Sequence, residues 1–292
     1  MHLGFYCDII IGGLILGGLY GLTAVGLSLQ YGVARVLNVS HGEFIMLGAL
    51  AAYSLYTFLG INPLLSLVVT GPLIFVLAFA IHRIMFQRIR RISPTPGAFE
   101  GNSLLASFGL LFIIRNIALL SWGPNSRGYQ YLSQSVRAFG NVYAVNRLVA
   151  FGLALCAGIA FYLFLVRTRL GKAIRAAAQD RDTAQLVGIN IHRVLGLCFS
   201  IGAFMAILAG SLVSMMFEIT PNIGLPYTII AIIAVVLGGL GNILGSLIGG
   251  LILGLVGNVV MAFSPALSLV AYYVIFLLLI LLRPTGILGK RA

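Results

Sequence analysis

The stretch "VLNVSHGEFIMLGALAAYSLYTFL", residues 36–59, sets four polar side chains at the mouth of an apolar run. Asn38, Ser40, His41 and Glu43 come first, and from Phe44 to Leu59 nothing is charged. A helix needs about 20 apolar residues to cross roughly 30 Å of hydrocarbon. Runs of that kind recur along the chain, and the sequence predicts spans near 9–30, 42–59, 64–83, 103–121, 148–166, 194–216, 227–240, 243–263 and 266–283. Composition agrees: 60% of the 292 residues are hydrophobic and 8% are charged, against roughly a quarter charged in soluble domains. Mean hydropathy is +1.09. The expected fold is an all-α, polytopic transmembrane bundle of eight to nine spans, with residues 1–292 forming a single membrane domain. Short segments of alternating polarity, the mark of a transmembrane barrel, are missing.

Charge sets the expected orientation. Arg83, Arg88, Arg90 and Arg91 lie in one inter-span segment, and Arg167, Arg169, Lys172, Arg175, Arg181 and Arg193 in another two spans later. Basic residues in short loops mark the cytoplasmic side. Arg283, Lys290 and Arg291 fall on that side by span count, so the C-terminus is expected in the cytoplasm and the N-terminus outside. Only Arg127, Arg137 and Arg147 oppose this, spread along one outer loop. The formal charge of +12 then reflects topology and contact with anionic membrane lipid rather than nucleic acid. Cys7, Cys156 and Cys198 have no CxxC spacing and read as small apolar residues. The N-terminus lacks the basic region of a cleaved signal, so no cleavage is expected.

Two glycine-interrupted stretches stand out, residues 31–42 and "LGGLGNILGSLIGG" at 237–250. The second is either a tight hairpin or a re-entrant segment. Interrupted apolar segments in corresponding parts of two halves point to a transporter's substrate path, because unwound backbone at membrane depth survives only beside a cavity or inside protein. Among the soluble-looking stretches, "RLGKAIRAAAQDRDTAQLVGINIHR" (169–193) is too charged to enter the bilayer. Its alanine-rich part favours a helix. Asp182 with Gln185 suits the start of a second helix, and Gly188 suits its end. Ile174, Ala177, Ala178, Leu186 and Val187 would give these helices small exposed apolar faces. Such faces either fill a groove on another protein or pack on the chain's own spans. Catalytic motifs are lacking: there is no P-loop, no HExxH, no GxSxG and no metal-spaced Cys/His cluster.

With these residues quoted, a family resemblance can be stated. The chain resembles permease subunits of branched-chain amino acid ABC importers over nearly its whole length. "VLNVSHGEFIMLGA" (36–49) is similar to the family's Asn-x-x-His-Gly-Glu stretch. "GKAIRAAAQDRDTAQLVGINIHRV" followed by "GAFMAILAGSL" is similar to its coupling segment and the next helix. "TPNIG", "AVVLGGLGNILGSLIGGLILG" and "RPTGILG" follow in the family's order. The resemblance implies that residues 171–188, including Gly171, Arg175, Ala177, Ala178, Asp180, Asp182, Leu186 and Gly188, dock on a separate ATP-hydrolysing subunit. It further implies two such ATP-binding subunits using ATP and Mg, a second related permease and an external solute-binding protein, in a bacterial inner membrane. This chain itself would bind no cofactor. The cargo implied is a branched-chain or other small amino acid moved by alternating access, with urea, a short amide or a sugar as alternatives. An autonomous ion-coupled carrier or channel would want more ionisable groups at mid-membrane and would leave 169–193 unexplained.

The candidate pathway residues are Asn38, Ser40, His41 and Glu43, with Arg115 and Asn116 of "LFIIRNIALL". A helix starting near Gly42 presents free N–H groups that suit an anionic group such as a carboxylate. The other reading is that the four residues cap that helix near the cytoplasmic surface, where span counting puts them. Arg115 is a functional candidate as an intramembrane arginine, or it snorkels to the outer interface. Glu218 and Asp8 are the acids expected outside, either solvated or facing an incoming ammonium group or a docked protein.

Overall fold

The computed structural model describes residues 2–138, 141–283 and 285–289; Lys290 and Arg291, used above to orient the C-terminus, lie outside the described residues. The helices run α1 (His2–Leu29), α2 (His41–Leu59), α3 (Pro63–Ile81), α4 (Gln87–Ile92), α5 (Pro96–Trp122), α6 (Val145–Arg167), α7 (Arg169–Gln179), α8 (Arg181–Leu186), α9 (Ile191–Ser214), α10 (Gly224–Gly238), α11 (Ile243–Phe263) and α12 (Ser268–Leu282). One antiparallel hairpin, β1 (Ser135–Ala138) with β2 (Asn141–Ala144), sits between α5 and α6. Eight of the helical segments are long and apolar enough to cross a membrane. Each predicted span corresponds to a helix, with ends displaced by a few residues. The third is longer than expected, because π-helical turns at His82–Phe86 carry α3 on into α4.

Short polar side chains start the spans. Asn62 accepts the Leu64 N–H ahead of α3, Thr95 the Ala98 N–H ahead of α5, Asn190 the Arg193 N–H ahead of α9 and Asn242 the Gly245 N–H ahead of α11. Each satisfies an amide that the helix leaves unpaired. Residues 237–250 form a tight hairpin. α10 ends at Gly238, Gly239 and Gly241 take positive φ of 104° and 81°, and α11 starts at Ile243 after four intervening residues. At fifteen residues α10 is about 22 Å long, short of the hydrocarbon thickness.

α1 and α9 form the centre, with 72% and 78% of their apolar windows buried, whereas α12 is peripheral at 6%. Glycine permits the closest contact at this centre. A Cβ on Gly254 of α11 would lie 2.1 Å from the Gly17 amide nitrogen of α1, and one on Gly250 would lie 2.2 Å from that of Gly21. Small residues let two backbones approach where lipid supplies no hydrophobic drive to association. The loop after α5 folds over the end of the bundle. Trp122 donates to Ser54 Oγ, Tyr129 OH pairs with Ser214 Oγ, and Asn146 donates to the Met215 carbonyl. Cys7, Cys156 and Cys198 are free thiols.

The α1–α11 contact makes a specific expectation. Gly254→Ala should cost about 1–3 kcal/mol through overpacking, read as a lower melting temperature in detergent. Gly152→Ala, which meets nothing within 4 Å, should leave it unchanged. Equal melting curves for the two variants would contradict the packing argument.

Candidate functional site

The first helix does not stop cleanly. Residues Gln30–Ala34 continue α1 as a π-helical turn, Arg35 takes φ 53°, and the chain then doubles back without regular structure to α2. Gly32 lies against Gly241 of the α10–α11 turn, where an added Cβ would be 2.8 Å from the Gly241 Cα. The two glycine-interrupted stretches of the sequence therefore touch. Val36, Asn38, Val39 and Ser40 are all buried on the returning path.

Backbone uncoiled inside protein must find hydrogen bonds from its neighbours, and here neighbouring side chains meet several of its groups. Ser107 Oγ of α5 accepts the Val39 N–H at 3.1 Å and lies 3.4 Å from the Leu37 carbonyl. Asn38 Oδ1 accepts from both the Ser40 N–H and hydroxyl, while Asn38 Nδ2 donates to Gln30 Oε1. Gln30 in turn donates to the Phe199 carbonyl of α9. Thr228 of α10 accepts the Gly42 N–H at 2.8 Å and donates to the Val39 carbonyl at 3.0 Å.

Packing sets the depth of the α2 start. The Cβ position of Gly26 lies 3.1 Å from His41 Cε1 and 2.8 Å from the Gly202 carbonyl, near the middle of α9. Gly26 is six residues before Gly32, so α2 begins about 9 Å inside the level of the α10–α11 turn. His41 Nε2 donates to the Thr23 carbonyl at 3.1 Å, and Nδ1 has no partner among the described residues. The amides of His41, Gly42 and Glu43 are taken by Asn38 O, Thr228 Oγ1 and Ser40 O, so these three donors are not free for an anion.

Glu43 is 1% exposed, and neither carboxylate oxygen has a hydrogen-bond partner among the described residues. The carboxylate lies over Gly224, the first residue of α10, where a Cβ would sit 2.3 Å from Oε1. A buried carboxylate without a hydrogen bond is costly unless opposite charge faces it. Here it faces the positive end of α10. Arg115 closes the arrangement by donating through Nε (3.1 Å) and Nη2 (2.7 Å) to Asn222 Oδ1, two residues before α10. Asn38, Ser40, His41, Glu43 and Arg115 thus gather around the starts of α2 and α10. Asn116 does not join them, since it is exposed and donates to the Phe112 carbonyl of its own helix. Asn222, Thr228, Ser107 and Gln30 belong to the arrangement without having been singled out, although "TPNIG" marked the Asn222 segment.

The 169–193 segment connects to this break. α7 is capped by Thr168, and Gly171 lets it fold over the end of α6, with its Cβ position 2.4 Å from the Leu165 carbonyl. Ile174 and Ala177 are each 1% exposed and pack inward, contrary to the expected exposed faces, whereas Ala178, Leu186 and Val187 face out. The cap of α8 is Asp180, not Asp182: its carboxylate accepts the Asp182 and Thr183 amides. The Thr183 hydroxyl and those amides hold the Asp180 carboxyl below the usual range. Gly188, at φ 85°, ends the helix as expected. Arg175 is exposed and donates to the Val166 carbonyl at 3.4 Å. Arg181 Nη2 donates to the Val33 carbonyl at 2.7 Å, and Arg90 Nη2 of α4 does the same at Ala34. These guanidinium groups cap the carbonyls exposed where α1 ends.

Comparison with known proteins bears on this geometry. Residues 9–282 match the family model described as branched-chain amino acid transport system, permease component. The high-affinity branched-chain amino acid transport system permease protein BraD of Pseudomonas aeruginosa is 32% identical, with 98% of this chain and 96% of BraD covered. LivH of Escherichia coli K12, a permease protein of the same description, is 32% identical, with 95% of this chain and 94% of LivH covered. Among solved structures, PsaBC from Streptococcus pneumoniae in complex with Fab shares the fold. Its TM-score is 0.51 at 14% identity, and the match covers 98% of this chain and 93% of that one. This chain belongs to the permease-component family of branched-chain amino acid transport systems.

Proposed function

We propose that the chain forms half of the membrane pathway of an ATP-driven importer for branched-chain or similarly small amino acids. It lies in a bacterial inner membrane with its N-terminus outside and its C-terminus in the cytoplasm. Its partners are two ATP-binding subunits, which use ATP and Mg, a second related permease and an external solute-binding protein. The loop arginines support the orientation, and the family supports the partners. One observation carries the mechanism: a side chain of the coupling segment, Arg181, bonds the end of α1 at the point where the chain breaks.

Movement of the ATP-binding subunits shifts α7 and α8 through their outward residues Ala178, Leu186 and Val187. Arg181 on Val33, with Arg90 on Ala34, passes the displacement to the uncoiled segment, and that segment ends on the α2–α10 contact. Glu43 and the Arg115–Asn222 pair lie there. A zwitterionic amino acid carries one ammonium and one carboxylate, so an acid and an arginine are the complementary pair. Urea, a neutral amide or a sugar requires neither charge, which favours the amino acid.

Three variants of the assembled complex test this. Ala178→Glu should abolish uptake while the chain still inserts and is made in normal amount; Ala177→Glu, at a buried site, should instead lower the amount of folded protein. Arg181→Ala should leave ATP hydrolysis in place and reduce transport per ATP; unchanged transport per ATP would remove Arg181 from the mechanism. Glu43→Gln and Arg115→Gln should each reduce leucine uptake by about tenfold or more, since loss of a charge that pairs with the substrate is worth more than about 1.4 kcal/mol. Leucine uptake at wild-type rates in both would rule out the charge-pair reading.

A further inference from the structure

Away from the break, a cavity of about 410 Å³ opens between α3 with its π-helical extension and the first turns of α9. It lies at the end of the bundle that carries the coupling segment, since α9 follows α8 after a short linker. Its walls separate by chemistry. Phe79 and Leu197 are the apolar floor, and His82, Arg83, His192 and Arg193 are cationic or protonatable. Gln87 and Asn190 complete the lining with neutral polar groups, so no acid is present in it. The floor depends on Gly196, whose Cβ position is 2.7 Å from Phe79 Cε2, so any larger residue would expel that ring. Arg83, His192 and Arg193 are exposed, and none has a side-chain hydrogen bond or ion pair to another described residue. Two arginine cations thus stand beside a histidine with no anion paired to them among the described residues. From the cavity an apolar stripe climbs α3 along one face through Val76, Leu73 and Val69, which are 68%, 68% and 57% exposed.

We propose that this cavity is a binding site for a phosphate-bearing anion, supplied as the headgroup of an anionic membrane phospholipid whose acyl chain lies along Val76, Leu73 and Val69. Clustered basic side chains at the edge of the hydrocarbon attract anionic headgroups, and arginine offers a planar fork to phosphate oxygens. The apolar stripe is what separates a lipid from a soluble phosphate: only the lipid uses both parts of the site.

The test uses the complete complex, purified with its partner subunits in detergent, stripped of lipid and titrated with phosphatidylglycerol while native mass spectrometry counts the lipid bound. The wild type should hold one more tightly bound phosphatidylglycerol per copy of this chain than the Arg83→Gln/Arg193→Gln variant. Its dissociation constant at that site should be lower by at least about tenfold. The Arg83→Lys/Arg193→Lys variant should recover most of the binding and show that the surface substitutions leave the protein folded. Phosphatidylcholine should bind wild type and variant alike. Inorganic phosphate at millimolar concentration should leave the bound phosphatidylglycerol in place; displacement would assign the site to soluble phosphate and overturn the lipid proposal. Equal phosphatidylglycerol binding by wild type and the glutamine variant would overturn it as well.

Discussion

The segment from Val36 to Ser40 crosses protein interior without a helix's internal hydrogen bonds, and the arrangement of its neighbours follows from that constraint. Every amide and carbonyl there needs a partner that lipid cannot supply. Ser107 reaches in from α5, Thr228 from α10 and Gln30 from the end of α1, with Asn38 bridging to Ser40. Ser107, Thr228 and Gln30 come from different parts of the chain, and Gln30 also bonds the Phe199 carbonyl of α9, so the break fixes how α1, α5, α9 and α10 stand around α2. A fully helical connection would have left α2 free to slide against them.

Glycine works alongside this polar frame. Where α2 crosses α10, an added Cβ on Gly42 would lie 1.8 Å from the Gly224 carbonyl, and where α2 crosses α9, one on Gly210 would lie 2.0 Å from the Ile45 carbonyl. Backbone meets backbone on both sides of the helix that carries His41 and Glu43. Close packing makes such contacts two-position devices rather than soft springs. In the proposed mechanism, a shift at the break is passed on instead of absorbed.

Much of this was legible in the sequence, for identifiable reasons. Apolar run length gave nearly every span, because bilayer thickness acts on length alone. Gly188 follows local chemistry that neighbours do not override. What escaped was relational. Asp180 and Asp182 are equally good caps on paper, and only the end of α7 decides between them. Ile174 and Ala177 turn inward because the fold-back at Gly171 brings α7 against the chain, a consequence that periodicity does not state. Asn222 escaped because an asparagine in a loop has no meaning until Arg115 arrives opposite it.

α10 raises a separate matter, how the chain enters the membrane as it is made. About 22 Å of helix is too little to hold itself across roughly 30 Å of hydrocarbon. After four intervening residues, α11 begins with full length and packs back against it, Gly249 over the Ala234 carbonyl. The pair therefore has to insert together as a hairpin, with α11 supplying the hydrophobic length that α10 lacks. The start of α10 beside Glu43 settles only after the following helix has left the ribosome, so the charged centre of this protein is among the last parts of it to be assembled.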